Sequence, residues 1–392
     1  MFDFDKVINR TGTGSYKWDG ADAEFNAVKP LPLWIADMDF RCAPVITEHL
    51  HEVVDRGIYG YSIRTDSYYN SIIKWFEERD HWSIRKDELV FAPPGVIYGI
   101  AVLLDACTVP GDKVVMQVPN YDSLMSVAAG NGRELIENPL IERDGKYCFD
   151  FPGLERILQE KHPKVLLMDN PSNPTGRLWT REELEQLAEL CFRYDVLIIS
   201  DDIHSDIRPA GSVYTPVASL KDKYAFRSIV CTSTNKTFNL GGLGMGTFVI
   251  KDPVLRRLFE EKMMQYQTRL DNIFSMAALE AAYQSAGPWV DEMNAYVVEN
   301  RKYFEKAIAG IGAGIRCCNM EATYFSWVDF SALGKGDELE RFLLDECHLA
   351  FSPGREFGKD YSSFMRVNLA CPRAILEEVV NRLKKNIMVS AQ

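Results

Sequence analysis

The sequence predicts an α/β fold: a large domain built on a mostly parallel sheet over about residues 46–285, and a smaller α+β domain assembled from residues 1–45 and 286–392. Three observations carry this. Short, wholly apolar runs of strand length alternate with helical patterns through the middle of the chain. The alternation stops after Gly287-Pro288, where a long helix leads into aromatic-rich strands and shorter helices. The length, 392 residues, suits one large unit and one smaller one.

Taken in order, the first forty-odd residues, rich in Trp, Pro and Asp, read as irregular and are expected to pack on the small domain. Strands follow at E-L-V-F-A (88–92), D-K-V-V-M-Q-V (112–118), K-V-L-L-M-D (164–169), V-L-I-I-S (196–200), R-S-I-V-C-T (227–232) and G-T-F-V-I (246–250), each bounded by turn residues. Runs apolar on both faces belong in a parallel sheet covered by helices on both sides. One such helix, Thr180 to Tyr194, opens T-R-E-E-L with a threonine cap and acids in its first turn. Beyond Gly287 the pattern gives a helix over 289–309, strands at 315–318 and 324–330, a helix around 336–346, a strand at 364–369 and a final helix from Pro372. No repeat, low-complexity tract or flexible linker intervenes, so the two domains are expected to share an interface.

Composition narrows the function. Asp and Glu number 56 against 44 Lys and Arg, a net charge of −12, which argues against a broad cationic surface for nucleic acid or anionic membrane. The nine cysteines form no C-x-x-C pair and several lie in apolar runs, reading as reduced thiols of a cytoplasmic protein. The opening residues lack a leader pattern, and no apolar stretch approaches the ~18 residues of a membrane helix. Six scattered histidines show no ligand spacing, so no metal site is expected.

Ligands of open α/β sheets bind beyond the carboxyl ends of the strands, and the residues there are unusual. The first strand is followed by P-P-G-V-I, a glycine turn opening a helix whose free N–H groups suit a phosphate. The second is followed by P-N-Y-D, where Tyr121 has a face to stack on a planar ligand. Alone, the glycine turn is more often a plain connection than a phosphate site, and a tyrosine at a strand end is equally often structural. The third gives D-N-P-S-N-P-T-G, in which two Asn-Pro steps restrict the backbone and aim Asn173. The fourth gives D-D-I-H-S-D, two adjacent acids whose side chains alternation sends to opposite sides. The fifth gives S-T-N-K-T-F-N-L-G-G-L-G-M-G, with a lysine just beyond a strand. Most lysines are solvated surface charges. This one converges with an acid, an asparagine, an aromatic ring and a phosphate-type turn, a set that fits pyridoxal phosphate held through a lysine amine.

The chain resembles the fold-type I pyridoxal-phosphate enzymes of the aminotransferase superfamily, class I/II, and within them the cystathionine β-lyase branch of carbon–sulfur lyases. The likeness runs nearly end to end. It rests on L-P-L-W-I-A-D-M-D-F (31–40), G-I-Y-G-Y (57–61), N-P-S-N-P-T-G, D-D-I-H-S-D, N-K-T-F-N-L-G-G-L and M-R-V-N-L-A-C (365–371). The resemblance implies that Lys236 carries the cofactor and acts in catalysis, that Asp201 pairs with the pyridine nitrogen, and that Asn173, helped by His204, binds the ring hydroxyl. It implies that Tyr121 stacks on the ring and acts with Lys236 in catalysis, that the amides of Val96 and Ile97 and the Ser233 hydroxyl hold the phosphate, and that Tyr61 of the partner subunit reaches it in a homodimer. Arg366 would clamp the carboxylate of a small amino-acid substrate, with Asn173 and the backbone of Ala36 beside it. Three positions depart from the family pattern: Asp202 where glutamate is usual, Asn235 where serine is common, and Gly244 where a phosphate-binding arginine or another polar side chain is expected.

The function so implied is α,β-elimination of L-cystathionine or related cysteine S-conjugates to pyruvate, ammonia and a thiol. An aminotransferase is the alternative, because the same residues serve both reactions. A cofactor-binding regulatory protein is a further rival, disfavoured by the intact Lys236, Asp201 and Arg366.

Overall fold

The computed structural model describes residues 2–27 and 29–390. The expected small-domain span includes positions 1, 28, 391 and 392, which lie outside the described residues.

Seven strands form the central sheet: β1 (Leu89–Ala92), β2 (Lys113–Val118), β3 (Glu134–Pro139), β4 (Val165–Asp169), β5 (Leu197–Asp201), β6 (Ser228–Thr232) and β7 (Gly246–Ile250), in the order β1-β7-β6-β5-β4-β2-β3. Six of them fall where the apolar runs predicted. The seventh, β3, was not anticipated, because its sequence E-L-I-E-N-P has only two adjacent aliphatics. As an edge strand, partly exposed, it needs no continuous apolar run. All neighbours are parallel except β7, which runs antiparallel to both β6 and β1. The cause lies in the connection. Residues 233–245 carry one turn of helix, Thr234–Thr237, and one 3-10 turn, too little chain for a crossover back along the sheet.

Full-length crossover helices, Val96–Cys107, Phe151–Lys161 and Arg181–Arg193 among them, cover the sheet. The last starts as its sequence predicts: Thr180 Oγ1 accepts the N–H of Glu183, and the Glu183 carboxylate accepts the N–H of Thr180.

A second sheet joins β8 (Arg316–Cys317), β9 (Phe325–Asp329), β10 (Ser352–Pro353) and β11 (Phe364–Asn368) in the order β8-β9-β11-β10, antiparallel throughout. Phe304 and Ile308 from the helix Gly287–Ala309, with Leu376, Val379 and Leu383 from Arg373–Ser390, pack against Val328, Met365 and Val367 of that sheet. The helix expected at 336–346 is divided into a 3-10 turn, Gly336–Glu338, and a helix, Leu339–Asp345. Among the described residues no helix is long and apolar enough to cross a membrane.

The N-terminal segment is more ordered than its composition suggests. The Asp19 carboxylate accepts the N–H groups of Gly12, Gly14 and Ser15 and holds the turn that opens two short helices, Tyr16–Asp19 and Ala21–Phe25. Leu31–Pro32 then pairs in parallel with Leu349–Ala350. Residues 34–40 follow as a strap lying between the two sheets.

Candidate active site

At the carboxyl edge of the central sheet, β4 and β5 end in register, with Asp169 opposite Asp201. Beside them a cavity of about 220 Å³ is walled by Pro94–Tyr98, Tyr121, Asp169, Asn173, Asp201, His204, Asn235, Lys236 and Ala36. Eight of the residues singled out in sequence therefore meet in one place: Lys236, Asp201, Asn173, His204, Tyr121, Ala36 and the helix-opening pair Val96 and Ile97. Arg366 stands just behind, joined to the cavity through Asn173. Ser233 is not a wall residue: it is buried and its Oγ accepts the N–H of Asn235, although the hydroxyl proton remains free to donate. Tyr61 is apart from the site in its own chain, 92% exposed on the loop that follows the helix Pro44–Arg56.

The strap is fixed over the cavity by side chains from several of the quoted motifs. Asn239 accepts the N–H of Met38 and donates to the carbonyls of Met38 and Phe40. Asn368 donates to the carbonyls of Ile35 and Asp37 at 2.8 and 2.6 Å. On its outer side Asp39 receives Lys17 Nζ at 2.8 Å, Arg10 Nη1 at 2.8 Å and Trp18 Nε1 at 2.8 Å. Thus held, the Ala36 carbonyl accepts Lys236 Nζ at 2.8 Å and the Tyr324 hydroxyl at 3.1 Å.

Arg366, on β11, is buried between the rings of Phe325 and Phe357, 4.2 and 4.9 Å from its guanidinium carbon. It donates to Asn173 Oδ1 at 3.0 Å, the Trp34 carbonyl at 2.8 Å and Ser352 Oγ at 2.9 Å, while its Nε has no partner. A guanidinium fixed this way, among neutral acceptors only, keeps its charge available for an anion.

The electrostatics follow from burial. Asp201, 6% exposed, accepts one hydrogen bond, from the Ile203 N–H, and burial raises its carboxyl to about 7 against the pull of that bond and of Lys236. Burial lifts Asp169 well above the usual carboxylate range, with the neighbouring Asp201 adding to it. Burial also lowers Lys236 to about 8, helped by the positive charge of Arg366, so the amine lies near its neutral, proton-accepting form. His204 is held well below its ordinary value by burial, then by Lys236 and Arg366, and is a neutral imidazole. The second acid of the pair, Asp202, points to the other side, where it receives the hydroxyls of Ser200 and Tyr214, as alternation along β5 requires.

These groups fit a phosphorylated, cationic-ring aldehyde. Asp201 is a buried carboxyl with no cation in contact, and a protonated ring nitrogen would restore its charge. His204 Nδ1 and Asn235 Oδ1 are buried without partners on the cavity wall. Gly95, at φ 131°, opens the helix Val96–Cys107 without a side-chain cap, and open space lies where its Cβ would be, so the first-turn N–H groups are free for an anion. A roomier cleft of about 540 Å³, beside the 141–148 hairpin, suits such a ligand poorly: Glu142, Asp144, Glu305 and Asp329 line it, and its Arg316 is already paired with Asp329.

Several contributors were not picked out in sequence. Asp169 is the first residue of the D-N-P-S-N-P-T-G string, and its carboxylate accepts the Asn173 N–H at 2.5 Å. Its place at a strand end was the available signal. Trp34, Ser352 and Tyr324 act through contacts between residues far apart in sequence, and nothing local marks them.

The family described as aminotransferase class I and II matches residues 33–383. The chain belongs to that family. It is 37% identical to cystathionine beta-lyase PatB of Bacillus subtilis (strain 168), over 97% of this chain and 98% of that protein. It is 31% identical to protein MalY of Escherichia coli (strain K12), over 97% of each. Among solved structures, cystalysin from Treponema denticola, whose crystals contain a pyridoxal 5'-phosphate cofactor, superposes with a TM-score of 0.95 at 30% identity, covering 99% of both chains.

Proposed function

We propose that this protein is a pyridoxal-phosphate-dependent carbon–sulfur β-lyase acting on L-cystathionine or a related cysteine S-conjugate. The observation that carries the reading is the convergence of Lys236, Asp201 and Asn173 at one sheet edge, with Arg366 behind them, in a chain similar along its whole length to a cystathionine β-lyase. When bound, the cofactor supplies an aldehyde that links to amines and a cationic ring that takes up the electron pair left at Cα.

The chain's own residues do the rest. The N–H groups of Val96 and Ile97 and the Ser233 hydroxyl hold the phosphate, Tyr121 covers one face of the ring, and Asn173 with His204 serves the ring hydroxyl. Asp201 keeps the proton on the ring nitrogen. Arg366 grips the substrate carboxylate, with Asn173 and the Ala36 backbone beside it, and so fixes which Cα bond faces Lys236. Lys236 Nζ takes the Cα proton, and the sulfur leaves Cβ with the bonding pair. With one water consumed, the products are a thiol, pyruvate and ammonia.

The partner in this reading is a second copy of the chain, with Tyr61 of the partner subunit completing the phosphate site. Support comes from the exposed apolar loop that carries Ile58, Tyr59, Tyr61 and Ile63. The site lies where the segments 46–285, 1–45 and 286–392 meet, which supports their division into a large domain and a discontinuous small one. A cytoplasmic location agrees with nine unpaired cysteines.

The family match to aminotransferases favours transamination as the second reading. Both are tested by supplying L-cystathionine and L-cysteine to the loaded enzyme and assaying thiol, pyruvate and the state of the cofactor. Elimination yields thiol and pyruvate with the cofactor regenerated. Transamination leaves the cofactor in its amine form and releases no thiol.

A further inference from the structure

Two departures from the family pattern, Asn235 and Gly244, lie close to the segment that opens the helix Val96–Cys107, Asn235 on the cavity wall it shares with Gly95 and Gly244 against Pro93 and Pro94, and their structural settings differ sharply. Gly244 has φ +57°, and a Cβ there would lie 3.3 Å from the Pro94 carbonyl oxygen, so the turn between Lys236 and β7 is pressed against the helix-opening loop. Residue 244 thereby favours glycine, which has no side chain to offer a phosphate.

Asn235 is the opposite case. Its backbone is fully used, the N–H donating to Ser233 Oγ at 3.1 Å and the carbonyl accepting the Leu240 N–H at 2.9 Å. Its side-chain amide is idle: Oδ1 is buried without a partner, and among the described residues nothing accepts from the amide nitrogen. It stands on the wall shared with Gly95, Val96 and Ile97, two residues beyond Ser233 and one before Lys236. The residue is half-buried, and a half-turn of the amide would set an N–H where Oδ1 now lies sealed without a donor, a polar position that a ligand atom would complete.

We propose that the Asn235 side-chain amide is a phosphate ligand of the cofactor, donating an N–H to a phosphate oxygen and replacing the contact that Gly244 lacks. This rests on the cofactor assigned under the proposed function and adds a residue to its phosphate site. Asn235 selects for the phosphorylated form of the vitamin over its dephosphorylated aldehyde.

The test is a binding measurement on the apo-protein. Wild type, Asn235→Ala and Asn235→Ser are titrated with pyridoxal phosphate and, separately, with pyridoxal, which lacks the phosphate, following cofactor absorbance and intrinsic fluorescence. Loss of one hydrogen bond to a charged group predicts a dissociation constant for pyridoxal phosphate raised about 10- to 100-fold in the alanine variant. The constant for pyridoxal should stay within about 2-fold of wild type, because the deleted contact is to the phosphate alone. The serine variant, with a shorter reach, should fall between, and it serves if the alanine variant does not fold. Equal loss for both aldehydes, or no loss for either, overturns the role of Asn235. Failure of the wild type to bind either aldehyde instead overturns the cofactor assignment itself.

Discussion

Asp201→Asn separates the energetic role of this carboxyl from its chemical one. In the apo-protein the group is buried at the end of β5, and its pKa rises from 3.8 to about 7, chiefly through burial. A folded state that holds its proton more tightly than the unfolded chain loses stability as pH rises from the unfolded value to the folded one. At 1.36 kcal/mol per unit, the loss is about 4 kcal/mol above about pH 7. Asparagine keeps an oxygen to accept the Ile203 N–H but carries no charge. The apo variant should therefore be more stable than wild type, by about 1–2 kcal/mol near pH 5 and about 4 kcal/mol above about pH 7. Urea unfolding of the two apo-proteins across this range reads the gap directly. With cofactor bound the order should reverse, because the variant lacks the carboxylate that holds the ring proton, and turnover should fall by orders of magnitude. A gap that is absent, or flat with pH, would refute the reasoning.

Three further substitutions probe the frame of the site. Arg366→Lys loses the planar fork that spans Asn173, Trp34 and Ser352, and kcat/KM for amino-acid substrates should fall about 100-fold in steady-state assays. Asp39→Asn strips the nearer charge partner from Lys17, itself 1% exposed, leaving it with Asp37 Oδ1 at 3.6 Å, and should cost about 3 kcal/mol by chemical denaturation. Because that cluster anchors the strap carrying Ala36, activity should drop with it. Gly244→Ala forces a Cβ toward Pro94 at positive φ and should cost about 1 kcal/mol, seen as a lowered melting temperature of the apo-protein.

Much of the site was legible because its chemistry sits in short strings at the ends of apolar strands. Asp201, Asn173, Lys236 and Tyr121 each follow such a run, and the sheet gathers strand ends at one edge whatever lies between them. Residues that work through tertiary contact were hidden. Trp34 and Ser352 hold Arg366 across more than 300 residues and 14 residues respectively, and Tyr324 reaches Ala36 from 288 positions away. The N-terminal segment looks irregular in sequence because its order comes from one aspartate, Asp19, collecting backbone N–H groups, and from the Lys17–Asp39–Arg10 cluster rather than from any periodic pattern. The strand β3 leaves no mark in the sequence for a related reason: at a sheet edge, pairing with β2 defines the strand more than its own apolar content does.

The reaction proposed for this site breaks a carbon–sulfur bond at Cβ. The most direct measurement is the stoichiometry of products from L-cystathionine supplied to the purified, cofactor-loaded protein. Thiol, pyruvate and ammonia should appear in equal amounts, sustained over many turnovers and abolished by Lys236→Ala. Amino-group transfer to the cofactor with no thiol released, or product formation that survives Lys236→Ala, would contradict it.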